Sequence, residues 1–337
     1  MLRVGPRSAG ADPGPACYAR GGAEPTLTDA HVVRGTIRPE AFLGGRMQID
    51  AAAAARSLEA IAQRFRLTLE AAADSAVALA NANIVRAIQL ISTERGHDPR
   101  DYVLVPYGGA GPLHAAKVAE ELGIKTIAVP PAAGIISAYG LIASDYVLFE
   151  SMTHRAIADD GAAHVLREVY GVMRDRALER AMASGFEGRL VFSMTAEMRF
   201  VGQAFEVPVL FEESEFQSLD AAGVRRRFGE AHQRVYFFGG EATKPIEFVS
   251  FRLGVVAPLA ELPLLADMKA EETPARPIRI FDGKAWADAR LLRRGALAQR
   301  ASISGPLLIE DPTSTLYVPS GWTAQLDAND NTILEQR

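Results

Sequence analysis

The residues best placed to do chemistry form a glycine-dense string, Tyr107-Gly108-Gly109-Ala110-Gly111-Pro112-Leu113-His114. It follows the apolar run Tyr102-Val103-Leu104-Val105-Pro106 and precedes a helix-like segment ending near Leu122. Glycines permit the positive φ angles of a tight strand-to-helix turn, and a helix start offers unpaired amides and a positive dipole end. A phosphate suits such a turn. The spacing matches neither GxGxxG nor GxxxxGK[ST], so a plain tight turn and a ligand loop both stay open. Asp12 and Asp29, in glycine-rich stretches near the N-terminus, are candidate oxygen ligands for Mg²⁺ or, equally, Asx-turn residues. The six histidines, 31, 97, 114, 154, 164 and 232, show no i, i+4 pair of the HExxH kind. Ser137 sits in no GxSxG elbow, and the surroundings of Cys17 match no cysteine-protease signature. Glu94-Arg95-Gly96-His97-Asp98-Pro99-Arg100 reads as a helix end with a glycine stop and a proline beyond it.

The elements that must hold these residues alternate in type. Residues 1–45 are rich in Gly and Pro, with a capped helix start at Thr26–Val33 and the look of a chain entering in mid-architecture. Helices are predicted over 50–65 and 68–95, the second burying a face through Ala76, Ala80, Ile84, Ala87, Ile88 and Ile91, with Asn81 and Asn83 as buried, backbone-bonded asparagines. Val103–Val105, a helix over 112–122 and Thr126–Val129 form a strand-helix-strand unit whose crossover implies a parallel pair. A second loop, Pro130 to Gly140, leaves the next strand, so two glycine loops share one edge of a parallel sheet, where open α/β folds place ligands. Beyond 151 come a charged amphipathic helix over 160–184, strands over 190–195 and 198–205, a helix over 221–236 and a strand over 246–256. A Pro/Glu-rich connector at 259–277 leads to short strands at 278–281, 307–309, 315–318, 323–327 and 332–334. Three domains follow: an α/β core lobe over 1–150, an α+β appendage over 151–258 and a small β domain over 259–337.

Composition bounds the function. The chain has 337 residues, 48% apolar and 23% charged, with a net charge of −5 and Arg225-Arg226-Arg227 as its one basic tract. That tract reads as a solvated helix face, so nothing argues for a nucleic-acid surface. Cys17 is the single cysteine, which excludes an internal disulfide framework and predicts a reducing, cytoplasmic compartment. The sequence shows no uninterrupted apolar stretch of bilayer length and no secretory signal, so no membrane partner is expected.

Several longer strings occur together: Gly10-Ala11-Asp12-Pro13-Gly14-Pro15-Ala16-Cys17-Tyr18, Thr28-Asp29-Ala30, Phe42-Leu43-Gly44-Gly45, the 94–100 segment and Gly108 to Ala115. With Glu197 to Gln203, Gly305 to Glu310 and Pro319-Ser320-Gly321-Trp322, they resemble the hydantoinase A / 5-oxoprolinase family, which also holds acetone and acetophenone carboxylase subunits. The resemblance covers essentially the whole chain. It implies a lobe of the actin, Hsp70 and sugar-kinase type, incomplete here, with ATP and Mg²⁺ activating a substrate carbonyl or amide oxygen by phosphorylation. On this view Gly108, Gly109, Ala110 and Gly111 face the nucleotide, and Asp12 and Asp29 lie near metal or substrate. The usual members carry a further N-terminal half with the β- and γ-phosphate loops, so the expected partners are an N-terminal-half polypeptide, a hydantoinase B-type subunit, or both. The implied function is part of an ATP-dependent hydrolase of a hydantoin, 5-oxoproline or similar ring; a subunit of an ATP-dependent ketone carboxylase and a noncatalytic assembly subunit are the alternatives.

Overall fold

The computed structural model describes residues 2–186, 188–237, 244–258, 274–297 and 302–337. Most of the expected connector, 259–273, lies outside the described residues. The chain divides into two units, Met1–Leu141 with Leu264–Arg337, and Ile142–Pro263.

The first unit opens with three helices, each started by a side-chain cap. Thr26 and Asp29 form a reciprocal capping box at α1 (Leu27–Val33). Asp50 accepts the amides of Ala52 and Ala53 at α2 (Ala51–Phe65), and Thr68 accepts that of Ala71 at α3 (Leu69–Ile91). Such caps satisfy first-turn amides at about 1 kcal/mol each. Small side chains let the helices approach closely: Ala30, Leu58, Ala73, Ala76 and Val77 form one buried cluster. The predicted buried stripe of α3 holds in full only in its first half. In its second half Ile88 packs inward as predicted, but Ile84, Ala87 and Ile91 are exposed, and Val85, outside the predicted stripe, packs inward as well. The segment Leu69–Arg95 also reaches a mean hydropathy of 1.2 over 18 residues, long and apolar enough by composition to cross a membrane, contrary to the sequence expectation. After α3 come α4 (Gly111–Leu122), β1 (Thr126–Val129) and α5 (Ile136–Ile142).

The second unit is a four-stranded antiparallel sheet with helices. In chain order it contains β2 (Tyr146–Ile157), α6 (Ala162–Ala183), β3 (Val191–Phe200), β4 (Val207–Phe211), α7 (Glu213–Phe216), α8 (Ala221–Tyr236) and β5 (Ile246–Ala257), with strand order β2-β5-β3-β4. Alternate residues of β3 and β4 are buried, as period-2 strands with one covered face require. Leu166, Tyr170, Met173, Met198, Phe228, Phe248 and Phe251 form its core. One continuous strand, Val191–Phe200, replaces the two predicted over 190–205, and β2 crosses the predicted domain boundary at 150. The arginine tract is a helix surface as expected, with Arg227 paired to Glu215 and Arg226 to Glu230.

The remaining strands are β6 (Arg276–Phe281), β7 (Trp286–Arg293), β8 (Ile303–Ser304), β9 (Leu307–Asp311), β10 (Ser314–Val318), β11 (Trp322–Leu326) and β12 (Thr332–Gln336). They belong to the first unit rather than standing apart as a β domain. One sheet, β1-β12-β11-β8, takes β1 as its end strand; the other, β10-β9-β7-β6, contains the parallel pair β7/β9. The expected open parallel sheet is absent among the described residues: the Val103–Val105 segment meets β1 in a single parallel bridge, Leu104 to Ile127, and β1 otherwise pairs antiparallel with β12. A buried cluster of Ala115, Ala119, Ile127, Leu307, Val318 and Trp322 joins α4 to both sheets.

Candidate functional site

The two glycine-bearing loops meet. The Gly108 N–H donates to the Ala133 carbonyl at 2.8 Å, and Gly108 takes φ +86° in open space, so its glycine serves backbone geometry alone. A hairpin turn between β9 and β10 braces the second loop. A Cβ on Gly134 would stand 2.0 Å from the Thr313 carbonyl oxygen, and one on Gly109 3.5 Å from the same atom. Thr313 is in turn fixed by its amide and hydroxyl, both 3.3 Å from Asp311 Oδ1. Arg294 closes the brace: its Nη1 donates to the Pro130 carbonyl at 2.9 Å and lies 3.6 Å from Asp311 Oδ2, and its Nη2 donates to the Asp330 carbonyl.

This scaffold leaves the start of α4 open. Ala110 is the N-cap and makes no side-chain cap, Pro112 removes one donor from the first turn, and no acidic residue lies there. Gly109 and Ala110 are exposed, and among the described residues the amides of Gly109, Ala110 and Gly111 have no hydrogen-bond partner. That donor set, at the positive end of a helix, fits an anion or the polar edge of a nucleotide. It fits the ATP that the sequence resemblance implies. Mg²⁺ finds no such support. Asp29 is fully buried and accepts from the amides of Ala16 (3.3 Å), Cys17 (2.8 Å) and Thr26 (2.9 Å) and from the Thr26 hydroxyl (2.7 Å). Its lone pairs serve the fold of the N-terminal loop. Asp12 lies on an exposed turn closed by the Gly14 amide on the Ala9 carbonyl, and no group of three His, Cys, Asp or Glu side chains among the described residues could hold a metal.

Behind the loop lies a buried polar chain that sequence reasoning missed. His114, in the first turn of α4, places Nδ1 2.6 Å from Asn81 Oδ1 of α3 and Nε2 3.4 Å from His31 Nε2 of α1; His31 Nδ1 lies 2.8 Å from the Thr36 hydroxyl. With both rings neutral, His114 donates to Asn81 and His31 to His114, which leaves His31 Nδ1 as an acceptor facing the Thr36 hydroxyl, whose one proton is shared with the His31 carbonyl at 3.1 Å. Burial first, then the neighbouring ring and Arg34, hold His31 well below its ordinary value; burial and Arg34 lower His114 to about 4. Asn81 is buried as expected, but its partner is a side chain rather than backbone. Asn83 is exposed and reaches the Val4 carbonyl at 3.4 Å. The only sequence signal for this chain was the unusual company of Asn81, His31 and His114 on otherwise apolar helix faces.

Asn81 also borders a cavity of about 390 Å³, which Arg34, Asp74, Arg86, Lys117 and Tyr317 help to line. Arg34 pairs with Asp74 at 3.1 Å, leaving its buried Nε without a partner, and burial pushes the Tyr317 hydroxyl up to about 12. Cys17 is wholly buried and its thiol pushed strongly up by that burial, so it is no nucleophile. The 94–100 segment is the expected cap: Gly96 takes φ +82°, and the Arg100 side chain holds Asp98 down to about 2.

The sequence model described as Hydantoinase/oxoprolinase matches residues 1–149, and that of the Hydantoinase/oxoprolinase C-terminal domain matches residues 155–336. Caprolactamase subunit alpha of Pseudomonas jessenii is 33% identical, over 97% of this chain and 48% of the relative. Acetophenone carboxylase gamma subunit of Aromatoleum aromaticum is 31% identical over 99% and 48%, and 5-oxoprolinase PfmaA of Pestalotiopsis fici 29% over 100% and 27%. The crystal structure of ATP-dependent caprolactamase from Pseudomonas jessenii superposes with a TM-score of 0.69 at 32% identity, covering all of this chain and 50% of the other. Nucleotide-free acetone carboxylase shares the fold with a TM-score of 0.83 at 23% identity and the same coverage. The chain spans half or less of the length of these relatives.

Proposed function

The chain belongs to the hydantoinase/oxoprolinase family, and from that premise we propose that it is the nucleotide-facing part of an ATP-dependent enzyme opening a cyclic amide. The observation that carries this reading is the set of unpartnered amides at Gly109, Ala110 and Gly111, in a chain 33% identical to a caprolactamase alpha subunit. When bound, ATP supplies the phosphoryl group that makes an amide oxygen a leaving group. The chain's own part is to present the three amides and hold them still: Ala133 through Gly108, and Thr313 and Arg294 through the second loop. Pre-placed amides cost no reorganisation when charge arrives, which is why such a loop is worth bracing.

The enzyme acts with further polypeptide, an N-terminal-half chain, a hydantoinase B-type subunit, or both. Caprolactamase and acetophenone carboxylase relatives are named as subunits, and this chain spans 48% of each. Subunit of a ketone carboxylase is a second reading, favoured by the 31% identity with the acetophenone carboxylase gamma subunit. Offering the assembled enzyme hydantoin, 5-oxoproline and caprolactam in one series, and bicarbonate with acetone or acetophenone in another, separates the two.

The loop itself is tested by Ala110→Asp. Aspartate is a favoured N-cap, so the fold keeps or gains stability, while a like charge beside the anion position repels phosphate. Fluorescent ATP-analogue titration of the assembled enzyme should show affinity falling about tenfold or more. Unchanged affinity would remove the nucleotide from this loop.

A further inference from the structure

Within the first unit, one strand edge is left open in a way that specifies what closes it. Leu104 directs both backbone groups at β1: its N–H donates to the Thr126 carbonyl at 3.1 Å, and its carbonyl accepts from Ala128 at 2.9 Å. In an extended segment, neighbouring residues point these groups the other way. Val103 and Val105 therefore aim their N–H and C=O groups away from the sheet, and among the described residues those groups have no partner. The other edge of β1 is taken by β12.

The side chains along this edge are equally unfinished. Tyr102, Val103, Val105 and Tyr107 are 54%, 52%, 52% and 60% exposed, with none of the charges by which proteins normally protect an edge. The second half of α3 adds Leu90 and Ile91, 50% and 63% exposed. Val85 and Ile88 of that helix pack into the same buried cluster as Leu104, so helix and edge flank one apolar surface. A surface of this kind marks an interaction site.

We propose that the Val103–Val105 edge receives an extended strand from the polypeptide that carries the part of the relatives lying outside the matched half. This rests on the partner reading above. Two observations choose that occupant. Relatives such as caprolactamase subunit alpha are about twice as long as the matched region, since this chain covers 48% of it. And although α3 is apolar enough for a lipid phase, acyl chains cannot satisfy four backbone groups, whereas a strand satisfies all of them. Pro106 shares the parity of Leu104, so its missing N–H falls on the β1 side and leaves the outward groups of Val103 and Val105 intact; with two outward-facing residues the contact is short, and its side chains carry the specificity.

The test uses the purified chain with one probe, the part of Pseudomonas jessenii caprolactamase subunit alpha outside the match, without nucleotide or substrate. Size-exclusion chromatography should give an equimolar complex. Hydrogen exchange should show the Val103 and Val105 amides slowing about a hundredfold on binding, while the Leu104 amide, already bonded to β1, changes little. Val103→Pro removes one outward donor and should weaken the complex about tenfold or more, with Leu104 protection in the free variant reporting an intact fold; Val103→Ile should bind as the parent does. Absence of a complex, a complex leaving both amides fast, or partition into phosphatidylcholine vesicles in place of binding would each overturn the proposal. A complex protecting both amides but lacking lactam-dependent ATP hydrolysis would instead sink the functional reading and leave this one standing.

Discussion

At the scale of the residue, the informative side chains are those whose neighbours fix their protons. Asn81, His114, His31 and Thr36 form a connected run in which each neutral ring has one donor and one acceptor, and burial holds both rings below their ordinary value. A histidine lowered from 6.5 to about 4 on folding resists a proton that the unfolded chain accepts. Its stabilisation is therefore present above the unfolded value, drains away as pH falls from 6.5 towards 4, and levels off below. From His114 alone the loss amounts to about 3 kcal/mol, at roughly 1.4 kcal/mol for each tenfold drop in proton affinity. Urea denaturation at pH 7 and pH 4.5 should show it, with ring-nitrogen NMR reporting neutral imidazoles at the higher pH. A midpoint flat across that window would mean that the rings are not held neutral.

At the scale of the element, loops and hairpin are fitted by backbone rather than by side chains. Gly134 is a glycine because the Thr313 carbonyl occupies the place of its Cβ; no flexible side chain can yield there. Gly134→Ala should displace the β9–β10 turn and cost about 2 kcal/mol or more, as overpacking and backbone strain do. Thermal unfolding reads the loss, and nucleotide affinity should fall with it, since the same turn touches the Gly109 position. Gly108→Ala offers the contrast: the space is open, so only the strain of φ +86° remains, about 1 kcal/mol. Equal losses at both positions would contradict the bracing role of the hairpin. The cap at Thr26 was legible because a local hydrogen bond between near neighbours writes itself into sequence; the helices beginning near Asp50 and Thr68 were legible too, and the structure adds their caps. The second half of α3 was not, because an apolar stripe carries no sign of whether a neighbour covers it.

For the whole molecule, the family reading and the open edge point the same way. On the reading proposed above the chain presents amides for an anion, yet among its described residues no group of three His, Cys, Asp or Glu side chains could hold a metal. Alone, it should therefore hydrolyse ATP no faster than buffer. With the partner polypeptide present, steady-state phosphate release should rise into the range of slow enzymes, about 1 s⁻¹, and depend on a cyclic amide. Enzyme-like turnover by the isolated chain would place the whole catalytic apparatus here and defeat the division of labour proposed above.

Local strings of residues were enough to specify the helix starts, the alternating strand over 246–256, the short strand over 332–334, the surface cap at 94–100 and, through long motifs, the family. All of these depend on residues within a few positions of one another or on strings recognisable as they stand. Folding in three dimensions settled the rest: that β12 pairs with β1, that Thr313 sits in the notch at Gly134, and that His31 and Asn81 meet across His114. Asp29, left by the sequence as either a metal ligand or an Asx-turn residue, became a buried acceptor for three amides and a hydroxyl for the same reason. Contacts between distant segments are selected by the free energy of burying and pairing them together, a sum that no local pattern contains.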